Sequence, residues 1–303
     1  MDEKKNKVSR MMNLKKLLFL LFGTLPMCIS ANAQRVEYTK EDSLRVMTLL
    51  QKAACETAGK ASRGDMMVYF AREIKDMNIP YVAHTLEPFD KERLIVNLRQ
   101  MDCTTYTETV TALTLCMKDS LRSFEAYCHI LQKLRYEQGH SPAYVHRLHY
   151  FTSWIEDNTA MNFCEEVQGP NPPFTAVQNV HVNYMTRNVS KYRMLVANPK
   201  DVPGIKRQEQ AIEGRSYRYI PKDALTNTPE VREAVHDGDI IAIITNIGGL
   251  DTQHIGVAVW HEDGVHLLNA SSIHKRVVEE PMTLQEYLFR HKTMPGIRVV
   301  RLK

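Results

Sequence analysis

Cys103 is the residue best placed in this sequence for nucleophilic chemistry. It follows a strand-like run at residues 93–98 and begins a helical pattern in which apolar residues recur at about every third or fourth position. The free amides and the dipole at a helix N-terminus favour the thiolate, which is the nucleophilic form of cysteine. A nucleophilic cysteine also needs a base, which must come from elsewhere in the chain.

His254 is the strongest candidate for that base. It begins a predicted strand over residues 254–260, directly after a glycine-containing loop, so its side chain can face a cleft at the sheet edge. The two-residue period of a strand puts Ile255 and Val257 on the core face and His254 and Gly256 on the opposite face. The small residues beside the histidine indicate that a helix end packs against that face. A histidine in such a strand is also often purely structural, and the sequence leaves this alternative open.

A third residue is needed to orient the histidine. If residues 261–264 form a four-residue turn, Asn269 on the following strand lies on the same face as His254 and diagonal to it. A glycine bulge in the turn would shift the pairing by one residue and place His266 there instead. We therefore predict Asn269 as the orienting residue, with His266 as the alternative.

The pattern of elements around these residues predicts an α+β fold. Helices are predicted at residues 39–59, 64–77, 103–117 and 120–137, and strands at residues 239–245, 254–260, 265–270 and 298–302. The helix that bears the cysteine is expected to pack on an antiparallel sheet that bears the histidine and the asparagine, with the last strand closing that sheet. No repeat, charge block or linker divides residues 34–303, which we interpret as a single domain.

Residues 1–33 have the pattern of a signal peptide. Six Lys or Arg residues precede an apolar run that is too short and too interrupted to span a membrane, and Ala31 and Ala33 stand where a signal peptidase cleaves. Cleavage before Gln34 would export the mature chain to the periplasm of a host with two membranes, or otherwise to the cell wall or the medium. Lipid attachment at Cys28 is the alternative.

Charge and cysteine content argue against several kinds of partner. The 303-residue chain has a net charge of +4, and residues 1–33 carry all of it, so the mature chain offers no basic surface for nucleic acid or membranes. Its five cysteines include no CxxC pair, which argues against a zinc ribbon or a disulfide framework. The sequence HEDGVH at residues 261–266 has one residue too many for the zinc-protease motif HExxH. We therefore predict neither a metal nor a cofactor.

Six segments of the chain resemble, in the same order, those of a known family. They are PYVAHTLE at residues 80–87, MDCTT at 101–105, RLHYF at 147–151, GLDTQHIG at 249–256, LLNASS at 267–272 and GIRVVR at 296–301. With them the chain resembles the NlpC-type papain-like cysteine peptidases and, more closely, their N-acetylmuramoyl-L-alanine amidase-like branch, also called domain of unknown function 1460. Many relatives have a histidine where this chain has Asn269, so the third position is where it departs from the family.

The resemblance implies a papain-like core with additional helices and loops, and an N-acetylmuramoyl-L-alanine amidase. Its substrates would be peptidoglycan fragments (muropeptides), in the 1,6-anhydro form, during cell-wall turnover or recycling. Cys103 would attack the amide carbonyl, with His254 as the base and Asn269 as its orienter. The residues expected to line the substrate cleft are Tyr81, His84, Thr85, Glu87, Asp102, Arg147, His149 and Trp154.

Two alternatives stay open, and we expect a monomer in each case. The same fold and nucleophile can cut within the stem peptide, between D-glutamate and the diamino acid. A non-catalytic protein that binds wall fragments is the second alternative.

Overall fold

The computed structural model describes residues 36–57, 61–169 and 172–303. The predicted signal peptide at residues 1–33 and the alternative lipid-attachment residue Cys28 lie outside the described residues. Within the described part of the chain, no helix is both long and apolar enough to cross a membrane.

Helices and strands are both well represented along the described chain. The helices are α1 (Lys40–Glu56), α2 (Arg63–Asp76), α3 (Cys103–Lys118), α4 (Phe124–Arg135), α5 (Phe151–Ala160), α6 (Tyr184–Arg187), α7 (Arg193–Ala197), α8 (Val202–Ile212), α9 (Pro229–Ala234) and α10 (Leu284–Phe289). The strands are β1 (Val36–Glu37), β2 (Leu94–Ile95), β3 (Cys164–Val167), β4 (Ala176–Asn179), β5 (Ser216–Pro221), β6 (Ile240–Ile244), β7 (Thr252–Trp260), β8 (Val265–Ser271), β9 (Arg276–Glu279) and β10 (Gly296–Leu302). Short 3₁₀ turns lie at Glu137–Gly139, Val189–Lys191, Pro199–Asp201 and Lys222–Ala224.

The main sheet is antiparallel and has the strand order β4–β5–β10–β6–β7–β8–β9, with β3 also pairing with β10. The short strands β1 and β2 form a separate parallel pair. The predicted α+β fold with an antiparallel sheet is therefore confirmed. The expectation that residues 298–302 close the sheet is wrong, because β10 lies inside the sheet between β5 and β6. Its apolar side chains face both ways, Val299 into one core and Val300 into the other, which suits an interior strand.

β7 and β8 form the hairpin that the sequence predicts. Trp260 pairs with Val265 and Val257 pairs with Leu268, so residues 261–264 form the four-residue turn. This register excludes the one-residue shift that a bulge in the turn would produce.

Two apolar cores cover the two faces of the sheet. Helices α1–α5 pack on one face, where Tyr106 and Val110 of α3 share a core with Ile255 and Val257 of β7. The opposite core includes Ala258 together with residues of α9 and α10. α3 thus lies on the face that carries the larger apolar side chains, as burial of apolar area favours.

A helix does pack on the face of β7 that carries His254, since α10 shares a core with Ala258 and its Tyr287 ring centroid lies 6.4 Å from that of His254, but Gly256 itself is set by a strand. A Cβ at Gly256 would lie 2.7 Å from the Leu268 carbonyl oxygen and 2.8 Å from the Leu267 side chain. The neighbouring strand β8, rather than a helix, therefore leaves room only for glycine at this position.

Side-chain caps fix the starts of α1–α4, α9 and α10. α1 begins after Thr39, which forms a capping box with Asp42. α4 begins at Phe124 rather than at residue 120, because Ser120 has a φ of +56° and Ser123 caps the helix instead. A third, smaller apolar core holds α6–α8 together and contains Tyr150, the residue directly before α5.

Candidate active site

The start of α3 is fixed by a side-chain cap that holds Cys103 at the first helical position. Asp102 Oδ1 accepts a hydrogen bond from the Thr105 backbone N–H at 2.8 Å, and Thr105 Oγ1 accepts one from the Asp102 N–H at 2.9 Å. Aspartate is among the residues that favour this capping position. Of the strand predicted before the cysteine, only Leu94–Ile95 is a strand, because Asn97 Oδ1 accepts hydrogen bonds from the two backbone N–H groups that follow Leu98.

The Cys103 thiol is half-buried and protonated at neutral pH. Burial and the Asp102 carboxylate raise the pKa of Cys103 to about 12, against the opposing effects of the Ile255 backbone N–H and of Thr104. The thiolate that the helix N-terminus alone would favour is therefore not the resting state. A base must take the thiol proton when the sulfur attacks.

His254 supplies a neutral imidazole on the wall of the same cleft. Its Nε2 lies 3.0 Å from Asn269 Oδ1. Burial lowers the pKa of His254, while the hydrogen bond to Asn269 and the negative charges of Glu280 and Asp102 oppose this shift. A ring that donates through Nε2–H keeps the lone pair on Nδ1, which can accept a proton.

Asn269 is fully buried, and its amide is held from both sides. Its Oδ1 faces His254, and its Nδ2 donates to Glu280 Oε1 at 3.0 Å. His266, the alternative orienting residue, instead bonds the Glu280 carbonyl oxygen at 2.8 Å and the Asp263 carboxylate at 2.9 Å. The structure therefore brings Asn269, and not His266, to the ring of His254.

Cys103 and His254 line one cleft of about 190 Å³. Its apolar walls come from Leu148, Phe151, Trp154, Met185, Tyr192 and Leu250. Its polar lining includes His149, Asp251, Thr252 and Gln253. An apolar cleft with a few convergent polar groups is the usual form of a ligand site.

Four of the eight residues predicted to line the substrate cleft lie in it or beside it. His149 and Trp154 are in its wall, and Asp102 caps the helix next to Cys103. Tyr81 forms a bridge with Met101, just before the cap, so its phenol lies near the cysteine. Burial, and the negative charges that Cys103 and the capping carboxylate carry when ionised, raise the pKa of Tyr81.

The other four predicted residues do not line this cleft. His84 and Thr85 line a separate cavity of about 380 Å³. Glu87 Oε1 accepts a hydrogen bond from Arg147 Nη2 at 2.5 Å, and Arg147 Nε lies 3.6 Å from Glu92 Oε1. Because Arg147 is 6% exposed and its charge is matched, this pair holds the loop that contains Glu87 rather than facing a ligand.

His149 is the second imidazole of the cleft, and it is bound in a neutral form. Its Nε2 lies 2.7 Å from the Tyr144 carbonyl oxygen, so this nitrogen carries the proton and donates. Burial and the Arg147 charge lower the pKa of His149 to about 3. The ring thus forms part of the wall and does not carry charge at neutral pH.

Asp251 connects two walls of the cleft, although no prediction from the sequence gave it a role. Its Oδ2 accepts a hydrogen bond from the Thr152 backbone N–H at 2.6 Å, in the first turn of α5. It thereby ties the wall that α5 supplies to the strand of His254, three residues further on. Its place in GLDTQHIG, one of the segments that resemble the family, is the sequence feature that could have identified it. Met185 and Tyr192 reach the cleft from a region whose elements the sequence pattern does not predict.

These groups together indicate one class of site. A thiol at a helix start, a neutral imidazole with an available nitrogen and a buried amide that fixes the ring are suited to acyl transfer through a cysteine. No group of three or more side chains placed to hold a metal ion is found in the part of the chain that the structure describes.

Sequence comparison places the chain in a particular family. Residues 74–297 match the AmiA-like family, described as N-acetylmuramoyl-L-alanine amidase-like, and the chain belongs to this family. No curated protein matches the sequence of this chain.

Solved structures share the fold. An N-acetylmuramoyl-L-alanine amidase from Bacteroides uniformis ATCC 8492 is 36% identical, with a TM-score of 0.74, over 80% of this chain and 100% of that one. A Bacteroides fragilis protein proposed to be a xylanase is 35% identical, with a TM-score of 0.68, over 74% of this chain and 96% of that one. Protein LPG0564 from Legionella pneumophila str. Philadelphia 1, of the family DUF1460, is 21% identical with a TM-score of 0.67, over 86% and 94% of the two chains, and shows the fold alone.

Among the described residues, the cleft does not have the pair of carboxylates that most glycoside hydrolases use. Of the described residues that line it, Asp251 is the only carboxylate. Both of its oxygens accept backbone hydrogen bonds, from Thr152 and from Thr252. The chemistry of the site therefore favours amide hydrolysis over glycoside hydrolysis.

Proposed function

We propose that this protein is a cysteine amidase that hydrolyses the bond between N-acetylmuramic acid and L-alanine. The observation that carries the proposal is the convergence of Cys103 and His254 on one cleft, in a member of an amidase-like family. The structural neighbour at 36% identity is itself an N-acetylmuramoyl-L-alanine amidase. A cysteine on a helix, followed in the chain by a histidine and an asparagine on paired strands, further supports a papain-like core of the NlpC type.

The first step is attack on the lactyl carbonyl of muramic acid. His254 Nδ1 takes the Cys103 proton while the sulfur bonds to the carbonyl carbon, because the thiol is protonated at rest and the imidazole is neutral. The tetrahedral intermediate then breaks its C–N bond, and His254 returns the proton to the leaving L-alanine nitrogen. A thioester remains on Cys103, and the stem peptide leaves with a free amine.

The second step hydrolyses the thioester. His254, neutral again, takes a proton from water as the oxygen attacks the thioester carbonyl. The C–S bond breaks, the sulfur recovers the proton from His254, and the sugar leaves as a free acid. Asn269 keeps the ring in one orientation through both proton transfers.

The Cys103 backbone N–H is the proposed donor to the oxyanion. It stands at the first position of α3, where N–H groups have no partner within the helix. Asp102 accepts from the Thr105 N–H and so leaves that of Cys103 available. The helix dipole also favours negative charge at this point.

Two buried groups in the cleft wall support recognition of an oxygen-rich ligand. Trp154 Nε1 and Thr252 Oγ1 have no hydrogen-bond partner within the described residues. A buried polar group without a partner is costly, and a bound ligand can supply the missing partner. The indole N–H only donates, which suits the carbonyl and hydroxyl oxygens of a muropeptide.

The proposed substrates are soluble wall fragments, in the 1,6-anhydro form, from turnover or recycling. Met185 and Tyr192, from the part of the chain that forms α6–α8, add to the cleft wall and narrow it, which suits a fragment better than a polymer. Export through residues 1–33 to the periplasm or the cell wall, and action as a monomer, are parts of the same proposal.

Product analysis on one defined muropeptide tests the proposal. The substrate is anhydro-N-acetylmuramic acid linked to L-Ala-D-Glu-diamino acid, and the products are weighed by mass spectrometry. Release of the intact stem peptide with a free sugar acid supports the amidase. A sugar that still carries L-Ala-D-Glu would instead identify the stem-peptide endopeptidase, and bound but uncut substrate would identify a binding protein.

A further inference from the structure

The sheet behind His254 contains a buried carboxylate that the mechanism above does not use. Glu280 directly follows β9 and is 2% exposed. Its Oε1 accepts from Asn269 Nδ2 at 3.0 Å, and its Oε2 lies 3.1 Å from His274 Nε2. Its backbone N–H donates to the Leu267 carbonyl oxygen at 2.9 Å, which fixes it beside β8.

This carboxylate is paired differently from the arginine-bound carboxylates of the protein, and like Glu209 and Asp251 it has no arginine or lysine partner among the ion pairs of the described residues. The buried carboxylates Glu108 and Asp239 each bind an arginine at 2.7 Å, which neutralises their charge. Among the ion pairs of the described residues, the partner of Glu280 is His274, whose side chain is 36% exposed. A buried carboxylate without a fixed cation is unfavourable for stability, and such exceptions are concentrated at functional sites.

The carboxylate decides which way the Asn269 amide points. An ionised carboxylate can only accept hydrogen bonds, so the amide must turn its Nδ2 towards Glu280 and its Oδ1 towards His254. A facing Oδ1 requires that His254 carry its proton on Nε2. The Nδ1 lone pair, which the proposed reaction uses, is then the only one that the ring offers.

We propose that Glu280 is a positioning residue of the hydrolytic reaction, acting through Asn269 to hold His254 in its Nε2–H tautomer. The expected effect of Glu280 on turnover rests on the proposed function, whereas its effect on the tautomer does not. Glu280 never contacts the substrate. Without it, the Asn269 Nδ2 keeps only the longer hydrogen bond to the Leu267 carbonyl oxygen at 3.4 Å, so the amide is held less firmly and the ring can carry its proton on either nitrogen. Its role is to keep one tautomer populated.

The charge of Glu280 has a second consequence at His254. The charged and titratable groups around that ring are Asp102 at the α3 cap, His291 after α10, and Glu280 behind Asn269. The ring of Tyr287 on α10 has its centroid 6.4 Å from that of His254. Negative charges raise and positive charges lower the pKa of an imidazole, so a neutral side chain at position 280 should let the pKa of His254 fall further.

The test reads the tautomer directly in the full-length protein. Histidine is labelled with ¹⁵N, the His254 signals are assigned by their loss in His254→Ala, and the Nδ1 and Nε2 shifts are followed against pH. Glu280→Met removes both acceptor oxygens at similar length. Glu280→Gln keeps one acceptor for Asn269 but removes the charge, and His274→Ala is the matched control that leaves the Asn269 bond in place.

We expect a mixed tautomer at His254 in Glu280→Met, with kcat reduced about tenfold and KM within about twofold, as for loss of one hydrogen bond at the base. Glu280→Gln should keep the Nε2–H tautomer and titrate at lower pH than the wild type. His274→Ala should keep the wild-type tautomer.

An unchanged tautomer in Glu280→Met would overturn the inference. If that variant does not fold, an unchanged titration midpoint in Glu280→Gln would overturn it instead. The spectra need no substrate, so a wild-type protein that fails to cleave muropeptides would refute the proposed function alone.

Discussion

Two polar networks of the described residues lie near the cleft, and one of them ends at a group in the cleft wall. In the first, which we call the imidazole network, His254, Asn269 and Glu280 are linked through Asn269 at 3.0 Å on each side. In the second, the guanidinium network, Arg147 lies 2.5 Å from Glu87 and 3.6 Å from Glu92. Both networks include residues of the segments that resemble the family, so their place in the sequence does not distinguish them.

The two networks differ in where their terminal polar group lies. The guanidinium of Arg147 is enclosed between two carboxylates and stacks 4.8 Å from the Tyr144 ring, so its charge is used inside the protein. The imidazole network ends at a ring whose Nδ1 remains available at the cleft. A network whose charge is matched away from the cleft stabilises the fold, whereas one that ends at an available nitrogen in the cleft wall can act on a ligand.

Among changes to the two networks, the largest effect on turnover is expected from removing the ring of His254. His254→Ala should reduce kcat by about 10²–10⁴, the usual contribution of a general acid–base group, with little change in melting temperature. The measurement is kcat for stem-peptide release. An equal loss in His149→Gln, the other ring of the cleft, would show that His254 has no special role.

Cutting the guanidinium network should affect stability instead. Arg147→Met leaves the half-buried Glu87 and the buried side chain of Glu92 without their cation, so the free energy of unfolding should fall by about 3–5 kcal/mol. Arg193→Met, which breaks the exposed pair with Asp90, is the matched control and should cost less than about 1 kcal/mol. Denaturant unfolding measures both. A stable Arg147 variant with strongly reduced kcat would mean that Arg147 faces the substrate after all.

Removing the middle of the imidazole network should have an intermediate effect. Asn269→Ala should reduce kcat about ten- to hundredfold, because a hydrogen bond to a group that becomes charged contributes about 1.5–3 kcal/mol. KM should stay nearly constant, since Asn269 is buried behind the ring. Full activity in this variant would remove Asn269 from the account.

The pH dependence separates the imidazole network from an ordinary exposed histidine. The base must be neutral, and burial lowers the pKa of His254, so activity should fall only as pH drops through a value below 6.5. The loss between pH 7 and pH 5 should therefore be smaller than the about twenty-fivefold loss that an unperturbed histidine would give. The pKa of Cys103 at about 12 predicts no alkaline rise from thiolate formation up to pH 9. An acidic limb centred above pH 6.5 would contradict this assignment.

The smallest effect is expected in the cleft wall. Trp154→Phe keeps the ring packed on Phe151 but removes the unpartnered indole N–H, so KM should rise about three- to tenfold at constant kcat. The melting temperature should fall modestly, because a smaller ring replaces a fully buried indole, but no hydrogen bond of the free protein is lost. An unchanged KM would show that the indole does not contact the substrate.

The sequence predicts the local parts of this site and misses those that depend on distant contacts. The start of α3 follows from Asp102 and the apolar period, and the pairing of β7 with β8 follows from a four-residue turn. Glu280 was missed because its meeting with Asn269 requires β8 and β9 to pair, and nothing in the local pattern fixes that register. The enclosure of Arg147 was missed because its partners lie some sixty residues earlier in the chain.

The protonation state of the Cys103 thiol could not be predicted from the local sequence either. A helix N-terminus favours a thiolate, yet burial and the Asp102 carboxylate raise the pKa of Cys103 to about 12. The buried thiols of Cys116 and Cys128 have pKa values raised to about 12 as well. Access to the cleft and to His254, rather than acidity, therefore distinguishes Cys103 from them.

One measurement tests the central claim most directly. Wild-type protein, Cys103→Ala and Cys55→Ala are given the same anhydro-muropeptide, and release of the intact stem peptide is followed by mass spectrometry. Cys55 is exposed and outside the cleft, so its variant controls for loss of a thiol as such. The account predicts wild-type release by Cys55→Ala and none above background by Cys103→Ala with an unchanged unfolding transition. Undiminished release by folded Cys103→Ala would contradict it.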